Sequence, residues 1–163
     1  MAKSIRQFPD PVLRQISKPV KRFDSYLEKI VNRLIAIMKS QPGGIGIAAP
    51  QVGILKKIAI VDVSAKVPES RCLVLINPQI TKLSGGIVLR EGCMSLPDYT
   101  ANVKRYEHIQ VTWQDQFGES VEYTATGLEA RCIQHEIDHL NGILCVDRVA
   151  SLASDVFRRK RYS

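Results

Sequence analysis

Residues 135–139 read His135-Glu136-Ile137-Asp138-His139, and no other stretch constrains the fold as strongly. Two histidines at i and i+4 share one helical face, with Cβ atoms about 5–6 Å apart. At that spacing two imidazoles can hold one divalent cation, and a glutamate beside the first can reach water bound to it. The segment must therefore be a helix whose histidine face turns toward another ligand-bearing segment. A surface helix with two chance histidines is the competing explanation. The chain has only three histidines, and two of them fall here. The third, His108, opens a strand-like run and is expected at the surface.

A catalytic metal site needs three protein ligands and an open position for water. The best source of the third is Glu91-Gly92-Cys93-Met94-Ser95-Leu96-Pro97. Cys93 follows a glycine, ends a strand-like run and precedes a loop closed by proline. Cys72 and Cys132 instead sit inside strand and helix patterns, where buried structural thiols are common. A thiolate beside two imidazoles suits Fe(II), Zn(II), Co(II) or Ni(II), so these residues alone do not choose the metal.

The run Gly43-Gly44-Ile45-Gly46-Ile47-Ala48-Ala49-Pro50-Gln51 contains a Gly-x-Gly. A dinucleotide loop would follow a strand and open a helix. This one follows a helix, and Pro50-Gln51 interrupts what should come next. Close approach of backbone to a bound chain fits better, with the Gln51 amide available to a developing oxyanion.

Around these motifs the pattern predicts an α+β fold: antiparallel strands packed around a C-terminal metal-binding helix, with an N-terminal helix covering the sheet. Asp10-Pro11 opens a short helix near residues 12–16. Asp24 caps a helix to about Ser40, with Leu27, Ile30, Val31, Leu34, Ile35, Ile37 and Met38 at helical spacing. Residues 58–63 and 72–76 read as strands, the second closed by Asn77-Pro78. Residues 80–89 suggest a hairpin around Ser84-Gly85-Gly86, and residues 109–113 and 121–124 a pair joined by Asp115-Gln116-Phe117-Gly118. Thr126 and Glu129 have capping-box spacing for the last helix, which Gly142 ends.

At 163 residues the chain fits one domain, 1–163, with room for a full core. No apolar run approaches the ~20 residues needed to span a bilayer. Nothing at the N-terminus resembles an export signal, so a cytoplasmic location with reduced cysteines is expected. The net charge of +7 is partly local, because Arg158-Arg159-Lys160-Arg161 crowds one end. A solvated tail is the favoured reading of that run, ahead of an RNA contact.

Three stretches together resemble the motifs of peptide deformylases: residues 44–51, residues 91–95, and Gln134 with residues 135–139. They stand in that family's order, and the likeness extends over nearly the whole chain. The resemblance implies removal of the N-formyl group from the initiator methionine of nascent polypeptides. It implies Cys93, His135 and His139 as ligands to Fe2+, with Zn2+, Ni2+ or Co2+ as substitutes. Glu136 would carry the proton, and Gln51 with the backbone N–H of Met94 would stabilise the oxyanion. Gly46 would bond the extended peptide, and Ile45, Leu89, Leu128 and Cys132 would hold the methionine side chain. Met94 and Arg131 depart from the family's usual leucine and aliphatic residue. Formyl-methionyl nascent peptides are the implied substrate partner, and the basic C-terminus is a candidate ribosome contact. From the residues themselves, Glu91 is expected to support a ligand, and Asp138 to pair with Arg105. An endopeptidase with a cysteine ligand, or a metal-binding module without catalysis, stays open at this point.

Overall fold

A computed structural model of the chain describes residues 5–159. Among them, helix α1 (Ser25–Ser40) is followed by strands β1 (Gly46–Ala48), β2 (Ile58–Val61), β3 (Leu73–Cys93), β4 (Leu96–Gln114) and β5 (Ser120–Thr126). Helix α2 (Gly127–Leu140), the single turn α3 (Leu152–Asp155) and strand β6 (Val156–Arg158) complete the order. The strands make one antiparallel sheet ordered β1-β2-β3-β4-β5, with β6 pairing on the early part of β4. Mixed α+β architecture with a buried C-terminal helix is what the patterning predicts.

Period-two alternation sets the layers. Ile58 and Ile60 of β2 pack with Leu27, Ile30, Leu34 and Ile37 of α1. Ala59 and Val61 pack in the other cluster, with Ala130, Ile133 and Ile137 of α2. β2 is thus buried on both faces between the two helices. The α2 side is rich in small residues, with Ala48, Ala59, Ala125 and Ala130 all buried, and this lets α2 lie close to the sheet. Each fully buried aliphatic side chain contributes roughly 1.5–3 kcal/mol.

Helix α1 forms where its periodicity places it, and Asp24 Oδ1 accepts the Leu27 N–H at 3.0 Å. Near residue 12 the chain makes only a 3-10 turn, Pro11–Arg14. The expected hairpin at residues 80–89 does not form. β3 runs through it, paired with β4 from Gln79↔Thr112 to Gly92↔Thr100. Gly85, at φ 72°, is a local irregularity within the strand. The real reversal is a tight turn at Met94-Ser95, between the paired Cys93 and Leu96. Asn77-Pro78 likewise does not end the strand. Asn77 takes φ 51° at a register shift, and its side chain bonds the Val20 N–H and carbonyl at 2.8 and 2.9 Å.

Other expectations fail for identifiable reasons. No capping box forms at α2. Thr126 makes no side-chain cap bond, the chain enters through Gly127 at φ 59°, and Glu129 is engaged by the Tyr123 hydroxyl. Cys72 is exposed just before β3, outside the strand interior expected for it. Gly142 does close α2, at φ 72°. Among the described residues no helix is long and apolar enough to cross a membrane. Lys160 and Arg161 of the basic run, and residues 1–4, lie outside the described residues.

Candidate metal centre

Helix α2 is buried along most of its length, yet it carries Glu129, Gln134, His135, Glu136, Asp138 and His139. A buried polar group without a partner costs about 1–3 kcal/mol, so each needs an account. Gln134 accepts the Tyr106 N–H at 2.9 Å and donates to the Tyr106 and Ala130 carbonyls at 2.7 and 2.9 Å. Asp138 receives Arg105 Nη1 at 2.6 Å, as expected, and also Arg148 at 2.9 and 3.1 Å. Glu129 binds the Tyr123 hydroxyl. Among the described residues, Glu136 Oε1, His139 Nδ1 and the second oxygen of Glu129 have no hydrogen-bond partner. Unpaired groups on a helix otherwise so well satisfied point to a function.

The turn after β3 brings Cys93 to this helix. Donor atoms of Cys93, His135 and His139 all lie within 4.8 Å of one another, and the three residues are buried. Cys93 Sγ is 3.3 Å from His139 Nε2, and the two imidazole centroids are 5.0 Å apart. A tetrahedral cation with bonds of about 2.3 Å to sulfur and about 2.1 Å to nitrogen separates those atoms by about 3.6 Å. The donor set therefore fits one first-row divalent cation.

Surrounding groups fix the donors. Glu91 Oε1 pairs with His135 Nδ1 at 2.8 Å, which leaves Nε2 as the donor nitrogen. Arg105 grips Glu91 with two bonds, 2.8 and 3.0 Å. The chain His135–Glu91–Arg105–Asp138–Arg148 thus ties β3, β4, α2 and the 3-10 turn Cys145–Arg148 together. Burial alone would raise the Glu91 carboxyl, but hydrogen bonds from His135 and Arg105 outweigh it and bring the pKa to about 2.

Electrostatics favour a thiolate. Burial raises the Cys93 pKa, yet the charges of His139 and His135 dominate and hold it well below the ordinary thiol value. For His135 burial acts downward, while Glu136 and Cys93 push harder the other way, so it lies well above an ordinary imidazole. Burial raises the Glu136 carboxyl, with partial opposition from His135 and His139.

One cleft brings together Ile45, Gly46, Gln51, Leu89, Cys93, Met94, Leu128, Cys132, His135 and Glu136. Of the ligands, catalytic residues and substrate-binding residues expected from sequence, His139 alone is off its wall, at 1% exposure. A Cβ on Gly46 would lie 2.5 Å from Glu136 Oε2 and 2.7 Å from Cys132 Sγ. Glycine is what lets β1 approach the carboxylate. Gln51 accepts the Ala48 N–H at 2.9 Å, which turns its amide toward Ser95 Oγ at 3.1 Å and Cys93 Sγ at 3.8 Å. β1 is the edge strand here, so its outer backbone groups can pair with an extended chain.

Sequence reasoning missed Ser95, which is fully buried against Gln51, and Arg148, the second partner of Asp138. It also missed Arg90 and Gly92 on the cleft wall. None of these had a spacing signal, because each matters through partners distant in the sequence. Arg131 stands on the wall too, ion-paired with Glu107.

The family model described as polypeptide deformylase matches residues 2–155. A peptide deformylase of Thermodesulfovibrio yellowstonii is 43% identical over 156 residues, 96% of this chain and 94% of that protein. One from Hahella chejuensis is 43% identical over 157 residues, 96% and 92% of the two chains. The crystal structure of peptide deformylase from Thermotoga maritima superposes with TM-score 0.84 at 41% identity, covering 90% of this chain and 97% of that one. That of a Synechococcus elongatus peptide deformylase in complex with actinonin gives 0.85 at 42% identity, covering 90% and 80%.

Proposed function

The chain belongs to the polypeptide deformylase family, and from that premise we infer how its own residues carry the reaction. It is a metal-dependent hydrolase that removes the N-formyl group from the initiator methionine of nascent polypeptides and releases formate. The observation that carries the assignment of roles is the meeting of Cys93, His135 and His139 beside a buried carboxylate oxygen of Glu136 that has no partner among the described residues.

Cys93, His135 and His139 hold the cation, which is Fe2+ by family resemblance, with Zn2+, Ni2+ or Co2+ as substitutes. When bound, such a cation acts as a Lewis acid, lowering the pKa of a coordinated water toward about 7 and polarising the formyl carbonyl. Glu136 accepts the proton of the attacking water and returns it to the departing amine; its raised pKa suits both directions. The Gln51 amide and the Met94 N–H donate to the oxygen of the tetrahedral intermediate. Gly46 offers backbone hydrogen bonds to the peptide, laid as an extra strand along β1. Ile45, Leu89, Leu128 and Cys132 receive the methionine side chain. The whole chain, 1–163, acts as a single catalytic domain in the cytoplasm. Ribosome contact through the basic C-terminus is supported by the net charge of +7. Co-sedimentation with ribosomes should weaken steeply with salt, and failure to co-sediment at any salt would contradict it.

The test of the reaction compares formyl-Met-Ala-Ser with acetyl-Met-Ala-Ser, using protein prepared without oxygen. Formate should come rapidly from the first, with no hydrolysis of the second. Cleavage at internal bonds, or no formate, would overturn the assignment.

A further inference from the structure

We propose that Arg90 and Arg159 form a carboxylate-binding subsite beside the cleft, so that the enzyme favours peptides with a carboxylate downstream of the methionine. This extends the reaction proposed above and rests on it.

The last described strand builds the subsite. β6 pairs with β4 through Tyr99↔Arg158, Thr100↔Phe157 and Ala101↔Val156. The same stretch of β4 pairs on its other edge with β3, through Glu91↔Ala101 and Gly92↔Thr100. The Arg159 side chain reaches across to β3. A Cβ on Gly92 would lie 2.4 Å from Arg159 Nη2 and 3.8 Å from Thr100 Cγ2. The guanidinium therefore takes the space that a side chain at position 92 would fill. Its backbone N–H anchors the chain on the Asp98 carbonyl at 2.7 Å.

Arg90 lies two residues before Gly92, hence on the same face of β3. Its Cζ stacks 3.8 Å from the Phe157 ring centroid. Its Nε and Nη1 donate to Asn102 Oδ1 at 3.1 Å and Thr100 Oγ1 at 3.4 Å. Thr100 and Gly92 are paired across β3 and β4, so both arginines reach this one stretch of the sheet; β6 supplies the ring that steadies Arg90, and Arg159 follows it directly. Arg90 and Gly92 belong to the wall of the cleft that holds Cys93 and Gln51.

Charge identifies the ligand. Arg105, Arg131 and Arg148 each meet a carboxylate, whereas neither Arg90 nor Arg159 does so among the described residues. Arg159 Nη2 has only a 3.4 Å contact to the Tyr99 carbonyl, and its buried Nε has no partner among the described residues. Asp98, Tyr99 and Arg158 share a surface hollow with Arg159. Two guanidiniums presented as planar donors beside a peptide cleft match a carboxylate, which can accept two parallel hydrogen bonds.

The test uses formyl-Met-Ala-Ser-Ser with Asp or Asn at the second, third or fourth position, each as C-terminal amide and free acid, at low ionic strength. At one position Asp should lower KM about fivefold or more relative to Asn with kcat unchanged, an advantage that shrinks as salt screens it. The Asp/Asn ratio should collapse toward one in Arg159→Gln and fall in Arg90→Gln. A gain confined to the free acids would assign the subsite to a chain-terminal carboxylate, and a gain in the amides to a side chain. Either supports the proposal. Equal KM across every Asp/Asn and acid/amide pair in the unsubstituted enzyme would overturn it, as would a preference that survives both substitutions. If no formyl peptide yields formate, the reaction itself fails. Peptide binding by calorimetry then still reads the subsite, and equal affinities for acidic and neutral peptides would sink it.

Discussion

Helices α1 and α2 hold opposite faces of one sheet by opposite means. α1 has 16 residues, an aspartate N-cap, an apolar face against β2 and a polar face to solvent. α2 has 14 residues, no side-chain cap bond and a left-handed glycine at its entrance, and it buries charged and polar side chains over most of its length. The first obeys each local rule for a stable helix. The second is held by a network of partners from β3, β4 and the turn Cys145–Arg148, and it leaves Glu136 Oε1 and His139 Nδ1 buried without hydrogen-bond partners among the described residues. Where sequence rules and packing agree, the helix serves the core. Where burial of polar groups overrides those rules, it serves chemistry.

That contrast has a graded set of consequences. The largest concerns the donors: Cys93→Ala or His139→Ala should lose bound metal and with it essentially all formate release, read by metal analysis and activity on the same samples. Glu136→Gln removes the proton carrier and no ligand. It should keep the metal while kcat falls about 10²–10⁴-fold; metal loss in that variant would break the distinction between ligand and base.

Next comes the network. Arg105→Met removes the cation shared by Glu91 and Asp138, leaving them His135 and Arg148 alone, and should cost about 3–5 kcal/mol by denaturant unfolding. The same contacts set an acid limit. Glu91 titrates near 2 in the fold against an ordinary 4.5. Its folded pKa is depressed, so its stabilisation is complete above about pH 4.5 and is lost as pH falls toward 2. Unfolding measured across that window should show the loss in the unsubstituted protein and much less of it in Arg105→Met.

On the α1 side, Leu34→Ala should cost about 2–5 kcal/mol through a cavity, yet leave kcat at permissive temperature near the unsubstituted value. The smallest pair sharpens the comparison most. Asp24→Ala should cost about 1 kcal/mol, whereas Thr126→Ala should cost only a few tenths, because its side chain makes no cap bond. Equal costs would mean that the two helix starts are alike after all.

Legibility in the sequence followed the same division. α1 could be read almost to the residue, because cap, periodicity and burial agree there. The donors of the centre could be read because histidine spacing is a local property and Cys93 lay at a strand end. The long β3–β4 ribbon could not. Ser84-Gly85-Gly86 carries turn chemistry but sits within a paired strand, while the actual turn, Met94-Ser95, lacks the glycine, asparagine or aspartate that marks a tight hairpin turn. Cross-strand pairing decided both cases, and pairing is a nonlocal property. For the same reason Ser95, Arg148 and Arg90 gave no signal: their roles come from residues 44, 10 and 12 positions away. The capping box at Thr126 failed because Glu129 found a buried partner in Tyr123.

X-ray absorption at the metal edge of protein loaded anaerobically with Fe2+ tests the centre most directly. One sulfur at about 2.3 Å and two imidazole nitrogens at about 2.1 Å are expected around a single ion, with the sulfur absent in Cys93→Ala. A coordination shell with no sulfur in the unsubstituted protein would contradict the account.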